Sequence, residues 1–269
     1  MTERSIAQLA DLSGRVAVVT GAAGRIGRVI SSGLAELGAT VVVVDRDGET
    51  CDLVAQQLRD TSENASFGLE ANLEDEASTR RIPELVIDQV GRIDVLVHMA
   101  ALVSAEPLPN WTSDFESQSA ETWRRALEVN LTSVFNLTQV CTPALRSSGR
   151  GSVITVGSTY GLVGPDWRIY EGTSMGNAAG YAASKGGILQ LTRWLATTLA
   201  PSIRVNSLTP GGVERRQPSS FVEAYEQRTP LQRMAQEEDF KGAIAFLASD
   251  LSAYVTGQNI VVDGGWTAW

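Results

Sequence analysis

Short apolar runs alternate with helical patterns along most of the chain. The run Val16-Ala17-Val18-Val19-Thr20 has the length of a buried strand. It is followed by apolar residues at helical spacing, a pattern that Gly38 ends. The same alternation continues to the end of the chain. It predicts strands at 16–20, 40–44, 66–69, 93–97, 152–156, 203–208 and 259–262, and helices around 26–37, 53–58, 82–90, 123–145, 188–199 and 240–247.

Continuous Val and Ile runs separated by helices are typical of a parallel sheet that is covered on both faces. The pattern therefore predicts an α/β protein with a Rossmann-type, doubly wound parallel sheet. Ligands of such sheets bind at the carboxyl ends of the strands. No linker or charge block divides the 269 residues, so we expect a single domain over 1–269, with residues 1–13 as an N-terminal extension.

Composition and charge exclude several classes of partner. A net charge of −9 without a basic stripe argues against nucleic acid. No apolar run approaches the 18 or so residues that a membrane span needs, so no membrane partner is expected. The first residues lack the apolar core of a signal peptide, which predicts a cytoplasmic protein.

The sequence offers few metal ligands. Cys51 and Cys141 are far apart in the chain, and His98 is the only histidine. This set excludes a His-rich zinc site and predicts two ordinary buried thiols rather than a disulfide. We therefore expect no metal.

The turn Thr20-Gly21-Ala22-Ala23-Gly24-Arg25-Ile26-Gly27 lies between a predicted strand and a predicted helix. Gly21 permits a tight turn, and Gly27 permits close approach of helix and strand. The helix N-terminus offers unpaired N–H groups and a positive dipole to a pyrophosphate. Glycines also occur in such turns for steric reasons alone, so the turn needs support from its surroundings.

Asp45 supplies that support at the end of the second predicted strand. A carboxylate there can accept hydrogen bonds from both hydroxyls of an adenosine ribose and repel a 2′-phosphate. We therefore expect NAD rather than NADP. Arg46 is the alternative, because its guanidinium can pair with a 2′-phosphate.

Tyr181 and Lys185 are four residues apart at the start of a predicted helix and so share one of its faces. Only two of the 22 basic residues are lysines, Lys185 and Lys241. An ammonium beside a phenol lowers the phenol pKa from about 10, as a general acid or base requires. The alternative for this motif taken alone is a surface helix without chemistry.

From about Gly14 to Gly265 the chain resembles the short-chain dehydrogenases/reductases. The matching marks, in the order of that family, are the 20–27 turn, Asn130, Ser158, Tyr181-x-x-x-Lys185, Pro210-Gly211 and the ending at 256–265.

The resemblance implies roles for particular residues. Ser158 polarises the substrate oxygen, Tyr181 exchanges its proton, Lys185 lowers the Tyr181 pKa and holds the nicotinamide ribose, and Asn130 anchors a water of the proton relay. Thr159 competes with Ser158, and Asn130 has the alternative of a helix-interior amide bonded to backbone. The residues implied in cofactor binding are Gly21, Arg25, Ile26, Gly27, Asp45, Asn72, Leu73, Ala100, Tyr181, Lys185, Pro210, Gly211 and Val213.

The chain departs from the family pattern at three places. Arg25 replaces the middle glycine of the turn and can instead reach the phosphates or bracket the adenine. His98-Met99-Ala100-Ala101 stands where the family usually has Asn-Asn-Ala-Gly, and we expect a structural imidazole at His98 rather than a polar group near the cofactor. Asn72 replaces the usual acid after the third strand, where its side-chain carbonyl can still bond the adenine amino group.

Residues 160–180 form an insert about ten residues longer than the family commonly has. Trp167, Arg168 and Tyr170 suit a polyhydroxylated or sugar-like ligand, and the insert and the ending resemble a subgroup associated with surface-glycan sugar biosynthesis. The alternative is an oligomer contact. The apolar tail 266–269 also suggests a subunit contact, which predicts a homo-oligomer, a tetramer or a dimer.

Together these features predict an NAD(H)-dependent oxidoreductase that interconverts a secondary alcohol and a ketone. The alternative from another class is a non-catalytic dinucleotide-binding sensor or scaffold with the same fold. The intact set Asn130, Ser158, Tyr181 and Lys185 favours the enzyme.

Overall fold

The computed structural model describes residues 3–62, 64–103 and 108–269. Within these residues the strands are β1 (Val16–Thr20), β2 (Thr40–Asp45), β3 (Phe67–Glu70), β4 (Val95–His98), β5 (Gly151–Val156), β6 (Ile203–Pro210) and β7 (Asn259–Val262). The α-helices are α1 (Ile6–Ala10), α2 (Arg25–Glu36), α3 (Gly48–Ser62), α4 (Glu76–Val90), α5 (Ala120–Leu127), α6 (Ser133–Ser147), α7 (Ala179–Leu199), α8 (Ser219–Arg228) and α9 (Lys241–Ala248).

The strands form one parallel sheet in the order β3-β2-β1-β4-β5-β6-β7. This confirms the predicted Rossmann-type fold in a single domain. The strands before β4 are added on one side of β1, and those from β4 onward on the other side. At such a switch point a crevice opens outside the carboxyl ends of the strands. The glycine turn after β1 and the loop after β4 therefore border the expected ligand site.

Alternate residues of each strand pack on opposite faces of the sheet, as the two-residue period of a strand requires. In β1, Ala17 and Val19 join a core with α2, α3 and α9. Val16 and Val18 join a second core with α4, α6 and α7. Both faces are thus buried, which explains why the strands read as unbroken apolar runs.

The structure differs from the sequence prediction mainly in its helices. The helical segments predicted around 123–145 are α5 and α6, and a π-helical turn that was not predicted, Glu128–Thr132, joins them. Neither α1 nor α8 is predicted. The five residues of α1 bury no side chain, and α8 buries only Phe221 and Tyr225, too few to show helical periodicity.

Burial determines the state of both cysteines. Cys51 and Cys141 are free thiols inside the protein, and burial raises their pKa values to about 11 and about 12. This confirms the prediction of ordinary buried thiols. Among the described residues, no three His, Cys, Asp or Glu side chains converge as a metal site would require. In the same part of the chain, no helix is both long and apolar enough to traverse a bilayer.

The N-terminal extension contacts the segment that follows α9. Ser5 caps α1, its side chain accepting from the Gln8 N–H at 3.2 Å. Arg4 forms an ion pair with Asp250 at 2.7 Å. Asp250 also pairs with the buried Arg15, at 2.7 Å.

Candidate active site

The predicted site residues meet at one edge of the sheet because parallel strands end together. Gly21 follows β1, and Asp45 ends β2. Ala100 follows β4, Ser158 follows β5, and Pro210 ends β6. The carboxyl edge of the sheet therefore carries both the expected cofactor contacts and the expected catalytic groups.

The glycine turn after β1 is a tight backbone cradle. Gly21 has a φ of +68°, and a methyl group there would lie 2.6 Å from the Ala100 Cα atom. A methyl group on Gly27 would lie 2.1 Å from the Gly21 carbonyl oxygen. Gly24 begins α2 without a side-chain cap. No N-cap side chain therefore bonds the first N–H groups of α2, and these groups are available to an anionic phosphate.

Arg25, at the first position of α2, points to a protein carboxylate. Its Nε lies 3.0 Å from Glu237 Oε1, in the 3₁₀ turn before α9. The guanidinium is still more than half exposed. Its neighbour Ile26 packs partly buried against the core beside α2. The structure thus gives Arg25 an ion pair across the site rim, an arrangement that the sequence did not indicate.

The Asp45 carboxylate faces the glycine turn. Its Oδ2 accepts from the Ala23 N–H at 3.2 Å, and its Oδ1 accepts from the Arg46 N–H at 2.8 Å. These two bonds fix the carboxylate beside the cradle, where the adenosine ribose is expected.

Asn72 and Leu73 follow β3 on the same side. The Asn72 side-chain carbonyl accepts from the Glu74 N–H at 3.1 Å, and its backbone N–H donates to Ser78 Oγ at 3.0 Å. Leu73 packs against the second core. One lone pair of the Asn72 carbonyl is therefore already engaged by backbone, which leaves the other for an adenine amino group.

The segment after β4 is held by buried hydrogen bonds. His98 Nε2 lies 2.9 Å from Thr138 Oγ1, and burial lowers the His98 pKa to about 3. The imidazole is therefore neutral at physiological pH, in agreement with the structural role expected. The Ala100 N–H donates to Thr20 Oγ1 at 3.3 Å and so keeps this loop against the glycine turn.

Ser158 lies beside Tyr181 at the carboxyl edge of the sheet. Ser158 is buried just beyond β5, where its Oγ accepts from the Tyr160 N–H at 3.3 Å. The Ser158 side chain is also close enough to the Tyr181 phenol to lower its pKa. Thr159, the competing hydroxyl, is buried in the following 3₁₀ turn. The structure therefore brings Ser158 to the phenol.

Lys185 lies one helical turn after Tyr181, buried on the same face of α7. Its Nζ donates to the Val156 carbonyl oxygen at 2.7 Å and lies 5.8 Å from the centroid of the Tyr181 ring. Burial lowers the Lys185 pKa to about 8.

The Tyr181 pKa differs from the prediction. Burial raises it, while the hydrogen bond from Ser158 and the charge of Arg215 oppose that rise. The expectation that Lys185 brings this pKa toward neutrality is wrong for this arrangement. The reason is geometric, because the ammonium is directed at a backbone carbonyl and at the ring rather than at the phenol oxygen.

Asn130 lies fully buried in the π-helical turn 128–132. Its Oδ1 accepts from the Leu102 N–H at 2.6 Å, and its Nδ2 donates to Ser184 Oγ at 3.0 Å. Ser184 Oγ in turn donates to the Tyr181 carbonyl oxygen at 2.8 Å. Asn130 therefore links the loop after β4 to the helix that carries Tyr181. Single π turns inside helices are frequent at functional sites.

The segment after β6 completes the rim. The Gly211 N–H donates to the Val262 carbonyl oxygen at 2.8 Å, and a methyl group on Gly211 would lie 2.8 Å from the Asp263 Cα atom. Val213 pairs with Ala235 in an isolated bridge. Two residues later the exposed Arg215 follows, close enough for its charge to lower the Tyr181 pKa.

The insert 160–180 is folded against the protein rather than projecting from it. Tyr170 is buried, with its ring centroid 5.4 Å from that of Phe221 in α8. Arg168 is exposed and pairs with Asp166 at 2.7 Å. Of the three side chains expected to suit a ligand, Trp167 and Arg168 are therefore exposed, whereas Tyr170 is buried. Its ring links Trp167 of the insert to Phe221, Tyr225 and Trp266, which are distant in sequence.

The tail is also part of this chain's own packing. Trp266 is buried and stacks on Tyr225, with centroids 4.2 Å apart. The Arg228 guanidinium lies 5.4 Å from the Trp266 ring and 5.7 Å from that of Trp269. The prediction that the tail as a whole forms a subunit contact is wrong for Trp266, because α8 covers it.

Sequence reasoning missed three residues of this region. Tyr160 bonds the Tyr170 hydroxyl, Glu237 pairs with Arg25, and Arg215 influences Tyr181. Of the three, only Tyr160 could have been found from the sequence, because it lies two residues after Ser158. The other two come near the site through loops whose course the sequence pattern does not reveal.

The sequence and the fold both match known proteins. The family model described as enoyl-(acyl carrier protein) reductase matches residues 21–267. A short-chain type dehydrogenase/reductase from Mycobacterium marinum superposes with a TM-score of 0.86 at 29% identity, covering 99% of this chain and all of that one. The chain belongs to the short-chain dehydrogenase/reductase family. It is accordingly an NAD(P)-dependent oxidoreductase.

Two further members of the short-chain dehydrogenase/reductase family illustrate its range. Cis-4-hydroxycyclohexanecarboxylate dehydrogenase of Sinomonas cyclohexanicum is 36% identical, over 94% of this chain and 97% of its own. A gluconate 5-dehydrogenase from Burkholderia cenocepacia, solved with NADP and tartrate, has a TM-score of 0.86 at 29% identity, covering 98% of this chain and all of its own.

Proposed function

We propose that this short-chain dehydrogenase/reductase is an NAD(H)-dependent enzyme that interconverts a secondary alcohol and a ketone on a small polyhydroxylated or sugar-like molecule. The observation that carries the proposal is the convergence of Ser158, Tyr181 and Lys185, in which the Ser158 side chain lowers the Tyr181 pKa and the Lys185 ammonium lies 5.8 Å from the centroid of the Tyr181 ring. It lies at the carboxyl edge of the sheet, with Lys185 buried beneath the phenol ring.

In this proposal Tyr181 moves the proton. During alcohol oxidation its phenolate accepts the hydroxyl proton, and during ketone reduction its phenol donates one. The Ser158 hydroxyl lies beside that of Tyr181, so it can bond the reacting oxygen and orient it. Lys185, protonated below its pKa of about 8, carries a positive charge 5.8 Å from the centroid of the Tyr181 ring, and we assign its ammonium to holding the nicotinamide ribose.

Asn130 has a positioning role in the proposal. Its amide bonds Leu102 and Ser184, which fixes the first turn of α7 relative to the loop after β4. A displaced α7 would move the Tyr181 hydroxyl from the reacting oxygen, and small displacements of this kind cost large factors in rate.

The glycine cradle fits a dinucleotide, since any side chain at Gly21 or Gly27 would collide with backbone. We assign pyrophosphate binding to the N-terminus of α2 with Gly21, Arg25, Ile26 and Gly27. Adenosine binding is assigned to Asp45, Asn72 and Leu73, and nicotinamide binding to Ala100, Tyr181, Lys185, Pro210, Gly211 and Val213. The bound nicotinamide supplies the hydride acceptor or donor.

Asp45 favours NAD in this proposal. Its carboxylate, held by the Ala23 and Arg46 N–H groups, would repel a 2′-phosphate. The gluconate 5-dehydrogenase of known structure was solved with NADP, so cofactor preference needs a direct measurement.

The substrate class draws on the relatives' names. A hydroxycyclohexanecarboxylate and gluconate are both small hydroxylated molecules, and gluconate is a polyhydroxylated acid. A homo-oligomer, a dimer or tetramer, is part of the proposal because α5 and α7, which pack together, expose Trp123 and Trp194.

The proposal is tested with NADH and NADPH against matched cyclic ketones and hydroxyketones. We expect kcat/KM to favour NADH in the wild type. Asp45→Ser should shift the NAD/NADP ratio of kcat/KM toward NADP by about tenfold or more, the effect of removing one charge repulsion of about 1.4 kcal/mol. A wild type that prefers NADPH would transfer the selection to Arg46 and contradict the assignment to Asp45.

A further inference from the structure

Two tyrosine hydroxyls meet beside the candidate catalytic residues. Tyr160 lies in the 3₁₀ turn after β5, and its hydroxyl bonds that of Tyr170 from the insert. The Tyr160 N–H also donates to Ser158 Oγ at 3.3 Å. The backbone of Tyr160 is thus fixed beside Ser158, one of the candidate catalytic residues.

Both members of the pair are rigidly held. The turn that carries Tyr160 packs on α7, since a methyl group on Gly161 would lie 2.6 Å from the Lys185 carbonyl oxygen. Tyr170 is fixed between Trp167 and Phe221, with ring centroids 5.8 Å and 5.4 Å away. The Tyr160 side chain packs, partly buried, against the cluster that contains Tyr170.

The pair has more donors than its internal bond uses. Two phenols carry two protons, and one proton lies in the bond between them. In the described part of the chain, neither hydroxyl has another hydrogen-bond partner. Burial raises the pKa values of Tyr160 and Tyr170, so both protons remain bound at physiological pH. A donor that a bound substrate shields from water is costly to leave unpaired, so an acceptor on that substrate would be favoured.

The pair also lies near the reacting centre. The Tyr181 charge raises the pKa values of both Tyr160 and Tyr170. The Tyr160 backbone adjoins Ser158, and its hydroxyl bonds that of Tyr170, so the pair borders the site where the reacting oxygen would lie.

We propose that the Tyr160–Tyr170 hydroxyl pair donates a hydrogen bond, through its second O–H, to an oxygen on the carbon next to the reacting carbinol. The enzyme would then select vicinal diols and α-hydroxyketones over simple alcohols and ketones. This inference rests on the proposed alcohol/ketone chemistry and names the substrate class of that site. It gives the insert its function, because the insert supplies Tyr170.

The test compares substrates that differ by one hydroxyl. Oxidation of 1,2-cyclohexanediol and of cyclohexanol with NAD is measured for the wild type, Tyr170→Phe and Tyr160→Phe. We expect the wild type to favour the diol about tenfold or more in kcat/KM, the size of a single buried hydrogen bond. Each variant should lose most of that factor on the diol and remain within about twofold on cyclohexanol. Tyr254→Phe is the matched control, because Tyr254 is fully exposed.

A second measurement does not depend on turnover. Calorimetric titration of the protein–NADH complex with each alcohol should give tighter binding of the diol in the wild type and no preference in Tyr170→Phe. Equal losses on both alcohols would assign the pair a purely structural role and overturn the inference. A wild type that binds both alcohols equally would overturn it as well. If diol binding is selective but neither alcohol is oxidised, the proposed reaction fails while the pair keeps its role in recognition.

Discussion

At the scale of single residues, the protonation of Tyr181 results from opposing neighbours. Burial raises its pKa, whereas the Ser158 hydrogen bond and the Arg215 charge lower it. Arg215 is exposed and lies on the loop after β6, so it can be changed without opening a cavity. It is the neighbour through which the electrostatic part of the mechanism can be tested most cleanly.

Arg215→Ala should move the pH profile of alcohol oxidation to higher pH. Removing the positive charge raises the Tyr181 pKa. Because oxidation needs the deprotonated phenol, the rising limb of the kcat/KM profile moves to higher pH. Ketone reduction, which needs the protonated phenol, should retain activity to higher pH. Arg215→Lys is the control because it keeps the charge. The shift should shrink in high salt, since exposed charges are screened. An unchanged profile in Arg215→Ala would remove Arg215 from the account.

The sequence identified the main residues of the site but not their finer contacts. Tyr181 and Lys185 were predicted to share a helix face, and α7 confirms it. The spacing could not reveal that the Lys185 ammonium bonds the Val156 carbonyl, because that contact depends on how α7 packs on β5. The burial of Tyr170 depends in the same way on α8, whose position no local pattern encodes.

At the scale of elements, the insert, α8 and the tail form one aromatic cluster. Ring contacts run from Trp167 through Tyr170, Phe221 and Tyr225 to Trp266. An ion pair of 3.4 Å between Arg228 and Asp166 joins α8 to the insert as well. The chain's last residues therefore support the segment that contributes Tyr170.

Trp266→Ala should destabilise this cluster. Truncating a buried, stacked tryptophan typically costs about 3–5 kcal/mol, and activity should fall because Tyr170 loses its support. Trp269→Ala is the matched control, since Trp269 is 67% exposed, and its cost should be below about 1 kcal/mol. Urea unfolding measures both values, and sedimentation velocity reports assembly. If Trp266→Ala dissociated an oligomer without lowering the stability of the protomer, the tail would be a subunit contact and this account of the cluster would be wrong.

The strands were predictable and the irregular elements were not. Val-rich runs read directly as buried parallel strands, so the predicted bounds lie within two residues of β1 to β7. The π turn 128–132 was not predicted because its residues continue the helical pattern of α5 and α6. Only tertiary packing around Asn130 distinguishes it from an ordinary α-helix.

At the scale of the whole molecule, the single histidine links stability to pH. His98 is buried at the end of β4, and burial lowers its pKa from 6.5 to about 3. The unfolded chain therefore binds a proton below about pH 6.5 that the folded protein does not. Folding stability must fall as the pH decreases from 6.5 toward 3.

Lowering the pH from 7 to 5 should reduce the unfolding free energy by about 2 kcal/mol through His98 alone, at about 1.4 kcal/mol per pH unit below 6.5. His98→Gln, which can still bond Thr138, should remove most of this loss. Ion-paired carboxylates such as Glu74 and Asp239 have lowered pKa values, so their contribution is lost only below about pH 4. Urea unfolding at pH 7 and 5 measures both proteins. An equal loss in His98→Gln would show that other groups cause the acid sensitivity.

The central claim is that the Tyr181 hydroxyl moves the proton, and the most direct measurement is the turnover of Tyr181→Phe with NADH bound. The substitution keeps the ring and removes the one atom assigned to proton transfer. We expect an unchanged fold and NADH affinity, with kcat lowered at least about 10²- to 10⁴-fold. Turnover close to that of the wild type in the folded variant would contradict the mechanism.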